Sequence, residues 1–240
     1  GLSERFLRRG RELVREEDPV DAVTVGLFDF VHHMLRGDWE SLREIDPELR
    51  AEALRRGGLW HVVTWLGMRG KLATYRGEFE RAEAIVEELG EIEEHYAYGL
   101  ARENRQGCAA FLAVERGRLD EAVAACDAYF EATDEALPRI LALATRARAL
   151  AEAERTEEAA LQLARARQEM DALGIVPPFH ASSVLRSELL LAVVRLEAGS
   201  ERRGARRARR LARRARAAAA AVAWRGPAVL GLAARLEPQH

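Results

Sequence analysis

Apolar side chains recur at intervals of three and four residues along almost the whole chain. This spacing gathers them on one face of an α-helix, whereas a half-buried strand needs strict alternation of apolar and polar residues. The sequence shows no sustained alternation with β-branched enrichment. The pattern therefore predicts an all-α protein built from helices of about 8 to 20 residues joined by short turns.

Capping residues predict where several helices begin and end. Asp18-Pro19 and Asp46-Pro47 each place a carboxylate at the N-cap and a proline at the first helical position, where the missing N–H costs nothing. Glycine adopts the left-handed conformation of a helix C-cap without steric penalty. Helices are therefore expected to end at Gly37, Gly77, Gly117, Gly174 and Gly199.

The turns between helices repeat. Similar segments occur at 37–42, 77–82 and 117–122, each 40 residues after the last, and a weaker copy follows at 154–159. In each copy one helix ends, an apolar residue packs into the angle of a helix hairpin, and in all but the first a small alanine lets the next helix approach. A single hairpin cannot bury both its faces, so the repetition predicts hairpins stacked as a solenoid.

The glycine–polar–apolar–x–x–alanine pattern of these turns resembles the tetratricopeptide repeat. The first-helix signature of that family is partly present as Trp65-Leu66-Gly67, while the family's closing proline is missing and the period is nearer 40 residues. The match is best over 63–96, 103–136 and 140–173, and looser over 20–58 and 183–220. Longer repeats of this kind look like the C-terminal sensor solenoids of bacterial signal-transducing ATPases and LuxR-type regulators.

The resemblance implies a right-handed superhelical solenoid of about five to six antiparallel helix hairpins, forming a single domain over residues 1–240. Degenerate N-terminal hairpins are expected in 1–58, the best repeats in 59–175, and a C-terminal repeat with a capping helix in 176–240. The ATPase and helix-turn-helix domains of the proteins it resembles have no counterpart in this sequence.

The resemblance also implies which side chains line a concave groove, because that family exposes first-helix positions there. A mixture of aromatic, amide and charged groups is suited to an extended peptide or a small ligand, although any solvated concave face is mixed in polarity. Transferring the lining positions through the aligned turns gives Thr64, Lys71, Thr74, Tyr75, Asn104, Phe111, Glu115, Arg148 and Glu152.

The strongest compositional anomaly is an arginine-rich segment that follows Glu201. On a helix its nine arginines form two adjacent stripes beside a narrow stripe of alanine and leucine. Three interpretations stay open. The segment is a solvated helix whose arginine content reflects a GC-rich bacterial genome, or it docks on an acidic partner or a second copy of this chain, or it contacts nucleic acid. The nine are Arg202, Arg203, Arg206, Arg207, Arg209, Arg210, Arg213, Arg214 and Arg216.

Composition excludes several classes of protein. The 37 basic and 39 acidic residues give a net charge of −2, which argues against coating nucleic acid with the whole surface. No apolar run approaches the ~20 residues of a membrane span, and residues 1–15 alternate Arg, Glu and Leu instead of showing the apolar stretch typical of a signal peptide. Two cysteines, Cys108 and Cys126, are too few for a disulfide framework and are expected to be buried small hydrophobes. We expect a cytoplasmic protein without membrane contact.

Candidate catalytic and metal-binding motifs are weak. Gly67–Leu72 lacks two residues and the hydroxyl of a phosphate-binding loop. Asp29, His32 and His33 place a carboxylate and imidazoles one helical turn apart, but no third metal ligand accompanies them. The remaining histidines are scattered, with no nearby serine or cysteine at a strained turn that would suggest a nucleophile–base pair. No metal, cofactor or catalytic residue is predicted, and an enzyme with an unrecognised helical active site is the third hypothesis.

The leading prediction is a non-enzymatic scaffold, the sensor or interaction part of a bacterial signalling or transcription-regulating protein. It would bind a peptide or protein partner in the concave groove. The alternative is nucleic-acid binding through the arginine-rich helix 202–216.

Overall fold

The computed structural model describes residues 2–13, 18–199, 210–214, 217 and 226–236. All regular structure in these ranges is helical, which confirms the expected all-α class. The chain divides into two compact units, Gly1–Asn104 and Arg105–His240. The helices, apart from a short described helical stretch at 210–214, are α1 (Leu2–Leu13), α2 (Pro19–Arg36), α3 (Pro47–Arg55), α4 (Leu59–Tyr75), α5 (Phe79–Tyr96), α6 (Gly99–Glu115), α7 (Leu119–Ala132), α8 (Ala136–Glu152), α9 (Thr156–Leu173), α10 (Pro178–Glu197) and α11 (Gly226–Arg235).

The first unit is centred on α2 and α4. Helix α2 packs against α1, α3 and α4, and α4 packs against α5. Phe30 of α2 meets the edge of Trp65 of α4 with ring centroids 6.1 Å apart, and both side chains are buried together with Leu27, Leu66 and Leu89. Burial of large apolar side chains from three helices is the main stabilising contribution to this unit.

The two predicted N-caps are confirmed. The Asp18 carboxylate accepts a hydrogen bond from the backbone N–H of Val20 at the start of α2. The Asp46 carboxylate accepts from the N–H groups of Glu48 and Leu49 at the start of α3. Each carboxylate thus satisfies donors that have no partner within the helix.

The glycine turns are confirmed as well, and they share one hydrogen-bond pattern. Gly37, Gly77 and Gly117 have φ of 73°, 74° and 72°, in the left-handed region. The N–H of Gly117 donates to Val114 O at 3.0 Å and the next N–H donates to Ala113 O at 2.9 Å, as in a Schellman C-cap. Positive φ values occur also at Gly174 and Gly199.

The weaker fourth turn has the same backbone without a glycine. Glu154 has a φ of 60°, its N–H donates to Ala151 O at 3.1 Å, and the N–H of Arg155 donates to Leu150 O at 2.8 Å. The repeated turn therefore persists in a position where its sequence signature is lost. A non-glycine residue in this conformation is strained.

The first turn departs from the later ones. Phe79 and Leu119 each begin a long helix, whereas Trp39 begins a short 3₁₀ turn, Trp39–Ser41, and the chain runs without helix until α3. The chain becomes extended at Leu42, with a ψ of 128°, and Pro47 disfavours the helical conformation at Asp46, which has a ψ of 132°. A helix that starts at residue 39 cannot continue through this point.

In the second unit the main helix contacts join near neighbours along the chain. Helix α8 packs against α7, α9 and α10, and α10 packs against α9 and α11. Ala122 and Ala159, the small residues expected to permit close approach, are fully buried, as is Ala82 in the first unit. This packing is of the kind that stacked hairpins require. The superhelical arrangement and the single repeat domain over 1–240 remain predictions.

None of the described helices combines the length and the apolar character needed to cross a membrane.

Candidate functional site

The predicted groove residues fall into both units, and in the first unit they lie mainly on α4. Thr64, Lys71 and Tyr75 are half-buried. Thr74 is buried, and its hydroxyl donates to the carbonyl oxygen of Gly70 at 2.9 Å. Thr74 therefore presents no donor at the surface.

Asn104 of α6 packs against α4. Its Nδ2 donates to the carbonyl oxygen of Leu100 at 3.0 Å, and its Oδ1 lies 2.0 Å from the point where a Cβ on Gly67 would stand. Only a glycine at position 67 leaves room for this amide. Gly67 thus permits the close approach of α6 to α4, and Asn104 is a contact between these two helices.

In the second unit the structure brings three predicted groove residues together. Arg148 of α8 donates from Nη1 to Glu115 Oε1 and from Nε to Glu152 Oε1, the latter at 2.7 Å. Arg186 of α10 places both terminal nitrogens 3.4 Å from the same Glu115 oxygen. We call Glu115, Arg148, Glu152 and Arg186 the charged network. Phe111, the other predicted residue of this unit, is half-buried on α6.

Sequence reasoning did not find Arg186. Lining positions were transferred only through the three best-matching turns, and α10 belongs to the loosely matching copy at 183–220. The available signal was an arginine in the middle of the helix Pro178–Glu197, whose central part, 181–194, has Glu188 as its only other charged residue. A cation in such a place usually needs a carboxylate from another element.

Electrostatics keep the charged network ionised. Burial by itself raises the pKa of Glu115, but the hydrogen bond from Arg148 and the charges of Arg148 and Arg186 outweigh it and hold the pKa below its usual value. Burial likewise favours the neutral form of Arg148, whereas Glu115 and Glu152 raise the pKa of its guanidinium. Two cations and two anions thus face one another at neutral pH.

The network is accessible at its edges. The side chains of Arg148 and Glu115 are 10% and 20% exposed, and Glu152 is 28% exposed. Buried ion pairs add little stability compared with apolar residues of similar size. Partly exposed, prearranged charges are in contrast well suited to contact polar groups of another molecule.

A second concave feature lies along α8. This groove, which we call the α8 groove, has a volume of about 860 Å³ and is bounded by α7 and α9. Its lining residues are Asp127, Phe130, Glu131, Arg139, Leu143, Arg146, Arg165, Gln168, Glu169 and Ala172.

The arginine-rich segment is described only in part. Arg210, Arg213 and Arg214 are exposed, and none forms an ion pair with a described residue. Ala212 is buried in a cluster with side chains of α10 and α11, as the predicted apolar stripe requires. Six predicted members of the basic patch lie outside the described residues: Arg202, Arg203, Arg206, Arg207, Arg209 and Arg216.

The histidine and cysteine candidates lie in ion pairs or in the core. His33 Nδ1 lies 2.9 Å from Asp38 Oδ2, and its Nε2 lies 3.6 Å from Asp29 Oδ1. Within the described ranges, no group of three or more His, Cys, Asp or Glu side chains is arranged to hold a metal ion. Cys108 and Cys126 are free and buried, and burial raises the pKa of Cys126 to about 12.

Comparison of the chain with protein-family models, with curated proteins and with solved structures gave no match. The likeness to tetratricopeptide repeats and to bacterial sensor solenoids therefore stays a prediction. The function must be inferred from the geometry of the charged network, the α8 groove and the exposed arginines.

Proposed function

We propose that this chain is a non-enzymatic scaffold that binds a peptide or protein partner through the surface around the charged network. In this proposal it is the sensor or interaction part of a bacterial signalling or transcription-regulating protein. The observation that carries the proposal is that α6, α8 and α10 each contribute to one partly exposed cluster of ion pairs.

The energetics of the cluster favour recognition over simple stabilisation. Replacing buried ion pairs by apolar residues is often neutral or stabilising by about 1–4 kcal/mol. Ordering a flexible side chain during binding costs about 0.5–1.5 kcal/mol. Arg148 is already fixed by Glu115 and Glu152. The conformational entropy of the Arg148 side chain is therefore lost during folding, and binding of a partner does not have to order it again.

A peptide or protein partner fits better than a small apolar ligand. The network offers carboxylate acceptors and guanidinium donors from three helices, and a polypeptide supplies both donors and acceptors along its backbone. Glu152 and Arg186 are the members to test, because Glu152 is the most exposed and Arg186 binds Glu115 only through contacts of 3.4 Å.

The test is a selection of random dodecapeptides on the immobilised chain, followed by affinity measurement with variants. Glu152→Gln and Arg186→Gln are expected to weaken selected peptides about ten-fold, since each removes a charged partner. Glu158→Gln is the matched control, because this acid is exposed and its ion pair is with Arg155, the N-cap residue of the same helix. If no selected peptide responds to Glu152→Gln or Arg186→Gln, the proposed surface is wrong.

A second candidate function is nucleic-acid binding by the arginine-rich segment. It is favoured by Arg210, Arg213 and Arg214, whose charges no described carboxylate neutralises. Fluorescence anisotropy with labelled RNA and duplex DNA at low salt tests it against the triple arginine-to-glutamate variant of these positions. Micromolar binding that the variant abolishes, with an affinity that falls steeply as salt rises, would place this function first. Equal binding by both proteins would eliminate it.

A further inference from the structure

We infer that the α8 groove is a second binding site, and that its ligand is an acidic polypeptide segment with a carboxylate side chain beside an apolar one. The inference belongs to the class of function proposed above but uses a different surface of the second unit. It rests on the shape of the groove, on the exposed Arg165 that no described carboxylate neutralises, on Arg146 with one donor lacking a partner, and on the apolar side chains in the groove.

The groove follows one face of α8. Arg139, Leu143 and Arg146 stand at positions i, i+4 and i+7, so they form a stripe along this helix. The side chains of α7 line one side of the groove and those of α9 line the other. Its volume of about 860 Å³ lies within the range of ligand sites, about 300–1,000 Å³.

The two arginines of α8 pair with carboxylates on opposite sides of the groove. Arg139 Nε lies 3.1 Å from Glu169 Oε1 on α9, and its guanidinium carbon lies 5.5 Å from the centroid of the Phe130 ring. Arg146 Nη1 instead donates to Asp127 Oδ1 on α7. Leu143 lies between the two arginines on the stripe.

Two cationic groups in the groove have unused donors. Arg165 of α9 is exposed and forms no ion pair with a described residue. Arg146 Nε is buried and has no hydrogen-bond partner in the described part of the chain. A buried donor without an acceptor is costly in the free protein. A carboxylate entering the groove would accept from the exposed Arg165 guanidinium and would be attracted by the positive charge of Arg146.

The carboxylates of the groove restrict what the ligand can be. Asp127 and Glu169 are already paired with Arg146 and Arg139. Glu131 is exposed at the end of α7, forms no ion pair with any described residue and would repel a free polyanion. A peptide meets all these conditions, because its backbone N–H groups can donate to Glu131 while its side-chain carboxylate meets the arginines.

The apolar side chains of the groove favour a ligand that has an apolar group beside its carboxylate. Leu143 is buried, Phe130 is half-buried, and Ala172 is exposed beside them. An apolar ligand side chain placed against Phe130 and Ala172 would remove their exposed surface from water. Small inorganic anions lack this part, so free phosphate is expected to compete poorly with a peptide.

The experiment uses the whole chain and the same dodecapeptide selection, now read for composition and for dependence on Arg165. Selected peptides are expected to be enriched in Asp and Glu next to an apolar residue. Arg165→Gln should weaken them about ten-fold and Arg165→Glu still more, since the second change adds repulsion. Arg155→Gln is the matched control, because Arg155 is exposed at the N-cap of the same helix but does not line the groove.

The outcomes separate this inference from the proposed function. Peptides that respond to Arg165→Glu but not to Glu152→Gln or Arg186→Gln support the α8 groove and contradict the surface around the charged network. Peptides with the opposite response overturn the inference and leave the proposed function standing. Binders without acidic enrichment, or no binders at all, also overturn the inference. Because Arg165 is exposed, its variants are expected to fold, and a far-UV circular dichroism melt checks this.

Discussion

Replacing Glu154 by glycine is expected to stabilise the second unit. Glu154 occupies the left-handed C-cap position after α8 with a φ of 60°, where Gly37, Gly77 and Gly117 stand in the other turns. Its side chain is exposed and has no ion pair with any described residue. The substitution therefore removes backbone strain without removing a contact.

The magnitude follows from two opposing contributions. The left-handed conformation costs a residue other than glycine about 1–2 kcal/mol. Glycine loses more backbone entropy on folding, which returns about 0.5–1 kcal/mol of that gain. We therefore expect Glu154→Gly to raise the free energy of unfolding by about 0.5–1 kcal/mol.

The mirror experiment is Gly117→Ala. Gly117 has a φ of 72°, and a Cβ added there meets no atom within 4 Å, so the substitution introduces strain without a clash. The same two contributions predict that it lowers the free energy of unfolding by about 0.5–1 kcal/mol. The two substitutions act at the same backbone position of consecutive turns, and they are expected to change the free energy of unfolding in opposite directions.

The assay is urea unfolding followed by far-UV circular dichroism, comparing unfolding midpoints at an unchanged slope. Glu154→Ala is the matched control, because it removes the same side chain but keeps a Cβ in the left-handed conformation. The reasoning is refuted if Glu154→Ala stabilises the protein as much as Glu154→Gly does.

Three further predictions concern packing, charge and thiol chemistry. Gly67→Ala should lower the stability of the first unit by about 1–3 kcal/mol, because its Cβ overlaps Asn104; calorimetry should show part of this loss recovered when Asn104 is also replaced by alanine. The folded-state pKa of Glu115 is lowered from 4.5, so its pairing stabilises the protein above that pH and is lost as the pH falls through the folded pKa. In acid titrations of unfolding, Glu115→Gln should flatten this limb; an unchanged limb would count against the pairing with Arg148. Cys126 should react with a thiol reagent at pH 8 only after unfolding, and rapid labelling of the native chain would contradict its burial.

The features that sequence predicted well are those fixed by neighbouring residues. Asp18 and Asp46 cap the helices that follow them because both the carboxylate and the next proline act within three residues. Gly77 and Gly117 mark turns because the left-handed conformation is a property of one residue. Local chemistry of this kind needs no knowledge of the fold.

The features that sequence missed depend on distant parts of the chain or on a balance of forces. Arg186 joins Glu115 across 71 positions, a pairing that no periodicity reveals. Glu154 keeps the turn because the packing of α8 against α9 imposes it despite the strain. The burial of Thr74 depends on how the helices of the first unit pack around α4, which one-dimensional spacing does not determine.

The charged network also constrains which substitutions this protein can accept during evolution. Loss of Glu115 alone would leave two neighbouring guanidinium groups facing each other, and loss of Arg148 alone would leave a sheltered carboxylate without its main counterion. Tolerated replacements should therefore arrive in pairs or trios. Any related gene that retains Arg148 is expected to encode an acid at the position of Glu115, and this covariation would be visible before any partner is known.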